Sequence, residues 1–397
     1  MSAGSQRRIP PRQPLVVRSR QHLESKGVSF TRAGAVPSTV LPIAADGVTY
    51  SMAQQLTWVD VDHFVVGRWD GSLSVFRYNE SRTAGPVITT ASSNPSSEGV
   101  QMIVWLAPGV FAASAEDAAI AVWRTANGAW TDLGAEALLA YDPAFGAANS
   151  GASMALDDKL VVAIGHANGF LSIWAGAPDG SGFELLTGVD LRSAHPVNPW
   201  NSHNIRGVSP IRTDGEHGYL VTGSEDGDLC VVRIPDGAVL SRTVFNPSAQ
   251  RGINSITTVE TELLVASCSV GHSDKNLWYY GIDDTDWSIH LRDSVNLRVN
   301  RHAPQVFNFC TIWAIYDQGR CFFSSTEEGA LWMGTIQGGA IALLGHQTVT
   351  PALESALGWN RAGRLALVGY DLHEFQTLDG PGAAPDTGNS EELAPNP

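Results

Sequence analysis

The sequence predicts an all-β protein made of a repeated, four-stranded antiparallel sheet, and three observations support this prediction. An aromatic or aliphatic residue precedes an acidic or amide residue by twelve positions in several stretches of the chain. A tight turn with glycine accompanies the second residue of most pairs. A segment in which apolar and polar residues alternate follows that turn, and a period of two is typical of a half-buried strand.

The twelve-residue spacing defines the repeat. It recurs in five pairs of residues: Trp58 and Asp70, Trp105 and Asp117, Leu156 and Asn168, Tyr316 and Glu328, and Trp359 and Asp371. Two further segments, 219–234 and 263–282, end with the same pattern but have a different number of residues before it. The copies follow one another at intervals of roughly 44 to 59 residues, which brackets the length of a four-stranded propeller blade.

Each copy carries two strand signals with a turn between them. The first is a short β-prone run, such as FVVG at 64–67, and the second alternates, as in SLSVFRY at 72–78. The turn between them contains Asp-Gly or a related pair: Asp70-Gly71, Asn168-Gly169, Asp226-Gly227 and Glu328-Gly329. Such pairs tolerate positive φ, so they favour hairpins between antiparallel strands.

This pattern resembles the WD-repeat family of β-propellers. In that family an Asp lies in the turn before the third strand, and the third strand often ends in Trp plus a polar residue. Trp123-Arg124 and Trp174-Ala175 come nearest to that ending, while the literal Trp-Asp pair is absent, which indicates a divergent member. Gly345-His346 is similar to the Gly-His that the family favours before the first strand of a blade. The resemblance covers about residues 50–378.

The resemblance implies a seven-bladed β-propeller with four-stranded antiparallel blades. The blades are expected near 50–95, 99–142, 151–194, 203–248, 250–300, 305–349 and 350–378. The last is short by one strand, and WD-repeat propellers commonly complete it with an N-terminal strand. We expect that strand within residues 27–47, where it would cover an exposed sheet edge.

Charge is distributed unevenly around this predicted domain. The chain has a formal net charge of −15, yet residues 1–27 hold six basic residues against Glu24 alone. Residues 379–397 hold only acidic charges. We expect a disordered basic arm (1–27), a propeller (28–378) and a disordered acidic tail (379–397). An acidic body repels phosphates, which disfavours nucleic-acid binding except through residues 1–27.

The expected compartment is the cytoplasm. The N-terminus has no apolar segment after its arginines, and no apolar run is long enough to cross a membrane. The four cysteines form no C-x-x-C pair, so reduced thiols packed in strands are expected.

The sequence contains no phosphate loop of the G-x-x-x-x-G-K-[ST] form, no H-E-x-x-H and no G-x-S-x-G. This favours a non-catalytic protein without cofactor or metal. His195, His203 and His217 form the densest group of histidines; local hydrogen bonding is favoured for them over a metal site. The acidic turn residues are expected to accept local backbone hydrogen bonds rather than to form a catalytic ring.

Polar residues that interrupt the repeat are the candidates for a binding site. The first strand of each propeller blade lines the central channel, and the predicted strand entries hold Gln54, Gln101, Arg206, Asn254 and Asn308. Further candidates lie in predicted turns or loops of the same face: Arg68, Trp69, His166, Trp200, Arg251 and His272. Arg206 would attract an anionic group, and Trp69 is a candidate interface anchor. The alternative is that the polar residues hold channel water and that Trp69 packs on the next blade.

Three functions follow from these features. The absence of a catalytic motif and the resemblance favour a scaffold that binds a protein or peptide on the loop face or at the channel mouth. The alternative is an enzyme or small-ligand-binding propeller with a site around Arg206, Asn254 and Asn308. A third hypothesis, a nucleic-acid-associated subunit that uses residues 1–27, is disfavoured by the acidic body.

Overall fold

The structure is a computed structural model that describes most of the chain between residues 41 and 379. The described residues are 41–42, 53–68, 71–78, 84–90, 99–114, 119–126, 129–193, 202–245, 252–269, 274–303, 305–316, 319–348, 354–359, 364–369 and 374–379.

Three sheets in the first part of the chain each contain four consecutive antiparallel strands. The first is β2 (Ala53–Trp58), β3 (His63–Arg68), β4 (Leu73–Tyr78) and β5 (Ala84–Thr90). The second is β6 (Ile103–Ala107), β7 (Val110–Ser114), β8 (Ala119–Ala126) and β9 (Ala129–Ala140). The third is β10 (Ala148–Leu156), β11 (Lys159–His166), β12 (Phe170–Gly176) and β13 (Glu184–Asp190).

The same four-strand pattern continues in the second part of the chain. The next sheet is β14 (Ile205–Thr213), β15 (Gly218–Ser224), β16 (Asp228–Ile234) and β17 (Ala238–Val244). After it come β18 (Ile253–Val259), β19 (Glu262–Ser269), β20 (Leu277–Ile282) and β21 (Ile289–Val295). The following four are β22 (Val306–Tyr316), β23 (Gly319–Thr326), β24 (Ala330–Gln337) and β25 (Ala340–Thr348). The last three are β26 (Glu354–Trp359), β27 (Arg364–Gly369) and β28 (Glu374–Asp379).

Two of these groups are joined into one eight-stranded sheet. The end of β19 extends beyond β18, and its residues Cys268 and Ser269 pair with Phe307 and Val306 at the start of β22. The sequence predicts separate sheets here, and the difference arises from this short additional pairing.

An N-terminal strand completes the last sheet. Strand β1 (Leu41–Pro42) pairs antiparallel with β28, so the order in this sheet is β1-β28-β27-β26. The strand belongs to the 27–47 segment in which the sequence predicts it. Strand β28 extends to Asp379, one residue beyond the predicted end of the folded region.

The hairpin turns follow the predicted chemistry. Gly71, Gly169, Gly227 and Gly329 all have positive φ, between 69° and 90°. In each turn the glycine N–H donates to the carbonyl three residues earlier, as from Gly227 to Ser224 at 3.0 Å. The Gly345-His346 pair lies near the end of the outer strand β25, ahead of β26, the first strand of the last sheet.

The first strands of the sheets contact one another in sequence: β2 with β6, β6 with β10, β10 with β14, β14 with β18, β18 with β22, and β22 with β26. Strand β26 also contacts β2. At this last junction the Trp58 indole N–H donates to the Gly358 carbonyl at 3.0 Å. The sheets therefore surround a common axis, and their first strands line it.

Glycines in the second strands allow neighbouring sheets to approach closely. A Cβ atom placed on Gly67 would lie 2.5 Å from Val100 Cγ1, and one on Gly165 would lie 2.5 Å from Ile205 Cγ2. Each glycine thus receives a branched apolar side chain from the next sheet, and both Val100 and Ile205 are almost fully buried.

Replacing Gly165 by alanine should therefore lower the free energy of unfolding by about 1–3 kcal/mol, because the added methyl group overpacks the sheet interface. Gly134→Ala in β9 is the matched control, since a Cβ atom placed on Gly134 would have no other atom within 4 Å. Urea denaturation of both variants measures the difference, and equal stabilities would contradict the packing role of Gly165.

Deletion of residues 1–48 should sharply lower the melting temperature, since it removes β1 and exposes the edge of β28. Deletion of residues 1–27 alone is the control and should leave the melting temperature unchanged. Differential scanning calorimetry makes the comparison; an unaltered transition in the longer deletion would refute the stabilising role of β1.

Candidate functional site

The first strands surround a cavity of about 170 Å³ at the end of the axis where these strands begin. Its polar lining comes from several sheets: Gln55 of β2, Gln101 before β6, Asn149 and Ser150 of β10, Arg206 of β14, and Asn254 and Ser255 of β18. Phe309 and Cys310 of β22 and Leu357 of β26 complete the wall. We call this cavity the channel mouth.

Arg206 supplies the cationic group of the channel mouth. Its Nε donates to Glu225 Oε1 at 2.6 Å, and 39% of its side chain is exposed. The other Glu225 oxygen accepts from the Ser202 hydroxyl at 2.5 Å. An exposed ion pair of this kind adds little stability, so its main effect is to orient the guanidinium.

Asn254 lines the channel mouth, whereas Asn308 lies behind it. The Asn254 Nδ2 group donates to the Asn308 backbone carbonyl at 2.9 Å. The Asn308 side chain is fully buried, donates to the Asn276 carbonyl at 2.9 Å and accepts from Ser324 Oγ at 2.8 Å. Because its partners are all protein groups, Asn308 links strands, and it is not among the residues that line the cavity.

Of the two glutamines that the sequence singles out, the structure describes the side chain of one. Gln101 lines the channel mouth, and its backbone N–H donates to Ser114 Oγ at 2.8 Å. The predicted Gln54 lies in β2, but its side chain is outside the described part of the structure. Its neighbour Gln55 is the β2 residue that lines the cavity.

Arg68 and His166 lie in the interior within strands β3 and β11, whereas the sequence predicts them in turns or loops of the binding face. Both are fully buried at the ends of second strands. Arg68 Nη1 donates to Ser74 Oγ at 2.6 Å. His166 Nε2 lies 2.7 Å from Ser172 Oγ, and its Nδ1 lies 3.1 Å from the Gly146 carbonyl. These side chains bridge adjacent segments within the fold.

The chemistry of its partners defines the state of His166. The Gly146 carbonyl only accepts, so Nδ1 carries the proton and Nε2 accepts from the Ser172 hydroxyl. Burial lowers the pKa of His166 to about 4, because desolvation disfavours the charged ring.

Four other candidate residues lie outside the described part of the structure: Trp69, Trp200, Arg251 and His272. Their predicted roles at the binding face stay predictions.

Two acidic turn residues accept backbone hydrogen bonds from segments 28 to 33 residues earlier in the chain, and not from their own turns as expected. Buried Asp226 accepts from the Ser193 N–H at 3.0 Å and lies 2.6 Å from His203 Nδ1. Glu328 accepts from the N–H groups of Val299 and Asn300 at 2.7 and 2.8 Å. Within the described ranges, no three His, Cys, Asp or Glu side chains are grouped as metal ligands.

Residues at the start of β10 and on β22 are missed by sequence reasoning. Asn149 lines the channel mouth and donates through Nδ2 to Asn204 Oδ1 at 2.5 Å. Cys310 lies across the cavity in β22. A repeated signal marks part of this set, because β10 and β18 both carry an Asn-Ser pair near their start, at 149–150 and 254–255.

The fold and the channel mouth together define the class of protein as a β-propeller with four-stranded antiparallel blades. Among solved structures, the chain is similar to the β-propeller domain of Cps50 (Swd1) from Myceliophteria thermophila, with a TM-score of 0.57 and 12% sequence identity. The likeness covers 86% of this chain and 99% of that domain, and it concerns the fold. No protein-family model and no curated protein matches the sequence.

Among the described residues, no helix has the length and apolar character needed to cross a membrane.

The buried His166 predicts a pH dependence of stability. Its folded pKa of about 4 lies below the ordinary value of 6.5, so its contribution is present above pH 6.5 and is lost as the pH falls towards 4. The loss should be on the order of 3 kcal/mol. In His166→Asn, the free energy of unfolding should fall less between pH 7 and pH 4 than in wild type, as measured by urea denaturation. Parallel pH profiles would show that His166 does not titrate in this way.

Proposed function

We propose that the chain is a seven-bladed propeller of the WD-repeat type and a non-catalytic scaffold that binds a protein or peptide partner at its channel mouth. The observation that carries this proposal is the convergence of polar side chains from several first strands on one small cavity.

Strand connectivity supports the blade count. The strands fall into seven groups of four when β18–β21 and β22–β25 are counted separately and β1 is counted with β26–β28. The contact between β26 and β2 supports a closed ring. The backbone hydrogen bonds that Asp226 and Glu328 accept support the WD-repeat resemblance, in which this acidic residue is structural.

The volume of the channel mouth favours a partner side chain over a small-molecule substrate. Small-molecule sites usually measure about 300–1,000 Å³. A cavity of about 170 Å³ is smaller and suits one side chain of a larger partner.

The chemistry of the lining also favours binding over catalysis. Its most nucleophilic group is the Cys310 thiol, and burial raises the pKa of that thiol, which keeps it protonated and weakly reactive. Among the described residues that line the cavity, no histidine is present to act as its base. Asn308, one of the three residues of the alternative enzymatic site, is buried behind the channel mouth and does not line it.

Affinity capture with three forms of the full-length chain tests this function. The forms are wild type, Arg206→Ala with Asn254→Ala, and the control Arg212→Ala. Arg212 lies near the other end of β14, is 45% exposed and pairs with Asp284 at 3.6 Å, so it matches Arg206 in residue type, strand and ion pairing.

We expect wild type and Arg212→Ala to retain the same partner. The double variant should bind that partner, once purified, at least tenfold more weakly in calorimetric titration, as expected for lost hydrogen bonds to a charged group. Thermal denaturation checks that all forms are folded. Equal affinity of the three forms would place the partner elsewhere and refute the channel mouth as its site.

A further inference from the structure

The described lining of the channel mouth is close to electrically neutral. Among the described residues that line it, Arg206 is the one with a charged side chain, and Glu225 pairs with it at 2.6 Å. The other polar lining groups are carboxamides and hydroxyls, as at Gln55, Asn149 and Ser150. A ligand with a full charge would therefore lose hydration without gaining a free counter-ion, which disfavours its binding.

Two carboxamide oxygens at the channel mouth are left as hydrogen-bond acceptors. Asn254 must direct its Nδ2 at the Asn308 carbonyl, because a backbone carbonyl only accepts, so its Oδ1 is the free end. In the bond between Asn149 and the Asn204 side chain, Asn149 donates through Nδ2, which leaves its Oδ1. Within the residues that the structure describes, neither oxygen accepts a hydrogen bond.

Arg206 provides hydrogen-bond donors between these two acceptors. Glu225 engages only its Nε, so the two terminal nitrogens have no partner among the described residues. Asn149, Arg206 and Asn254 lie on β10, β14 and β18, and each of these strands contacts the next. Around the axis, the order is acceptor, donor, acceptor.

This order matches one chemical group better than others. A carboxamide offers a carbonyl oxygen to the guanidinium and two N–H donors to the flanking oxygens, and it carries no charge. A carboxylate has no hydrogen for the asparagine oxygens and adds uncompensated negative charge. A lysine or arginine side chain would meet the Arg206 cation and offers it no acceptor.

We propose that the channel mouth recognises the carboxamide of a glutamine or asparagine side chain on the partner. The inference rests on the proposed function, because it names the group by which a peptide partner is anchored there. One such side chain is of a size that the cavity of about 170 Å³ suits.

Selection from a library of random twelve-residue peptides tests the inference without a known partner. The full-length chain is the target, and Arg206→Ala is used for counter-selection, so that only peptides that depend on the channel mouth are kept. We expect these peptides to share one glutamine or asparagine.

Substitutions in a selected peptide isolate the anchoring group and leave the protein unchanged. Replacing the shared glutamine by glutamate or by norleucine should weaken binding about tenfold to a hundredfold, as expected for hydrogen bonds to a charged partner. Arg212→Ala should bind the peptide like wild type.

Cys310 offers a direct readout of occupancy. It lines the cavity and is partly exposed, whereas Cys230, Cys268 and Cys321 are buried. In alkaline solution, where part of this thiol is ionised, the selected peptide should slow alkylation of Cys310 by iodoacetamide several-fold, and its norleucine form should not.

The outcomes separate the two proposals. Peptides that share an acidic, basic or apolar anchor, or that tolerate glutamate at the shared position, would overturn carboxamide recognition and leave the scaffold function standing. The same conclusion follows if the peptide binds but does not protect Cys310. If no selected peptide depends on Arg206, both the carboxamide inference and the channel mouth as a partner site are refuted.

Discussion

The close approach of neighbouring sheets around the axis is the constraint on which the rest of the structure depends. A second-strand glycine of one sheet receives a branched side chain from the next sheet, as Gly165 receives Ile205. Packing of this kind brings consecutive first strands close enough for direct hydrogen bonds. Ser150 Oγ, for example, donates to the Ile205 carbonyl at 2.8 Å. The channel mouth exists because the apolar contacts farther from the axis set this distance.

The polar bonds between first strands have two consequences at once. The bond from Asn254 to Asn308 joins β18 to β22, and it also fixes which end of the Asn254 carboxamide is free. The bond from Asn149 to Asn204 joins β10 to the start of β14, two sheets earlier in the ring. Side chains that hold sheets together are thereby preorganised for recognition, so little conformational entropy remains to be lost on binding.

Much of the fold could be predicted from the sequence because the repeat is local in character. The aromatic or aliphatic residue that opens the twelve-residue spacing ends the first strand at Trp58, Leu156, Tyr316 and Trp359. Turn glycines with positive φ mark the hairpins, and both signals need only neighbouring residues. The additional pairing of β19 with β22 has no such local signal, since it depends on how far one strand extends past another.

The site could be predicted only in part, because burial and register are set by tertiary packing. Gln101, Arg206 and Asn254, which the sequence singles out, line the cavity. On β2 the cavity is lined by Gln55, which the sequence does not single out. Arg68 and His166 stand beside turns in the sequence, yet the serines that accept or donate their hydrogen bonds lie in the adjacent buried strands.

The bond between the Trp58 indole and the Gly358 carbonyl joins residues 300 positions apart. Ribosomes add about 5–20 residues per second, so roughly 15–60 s separate the synthesis of the two partners. Throughout this interval, the face of the first sheet that packs against the last sheet is exposed. Folding during translation therefore leaves this surface open to self-association or chaperone capture until the final strands emerge.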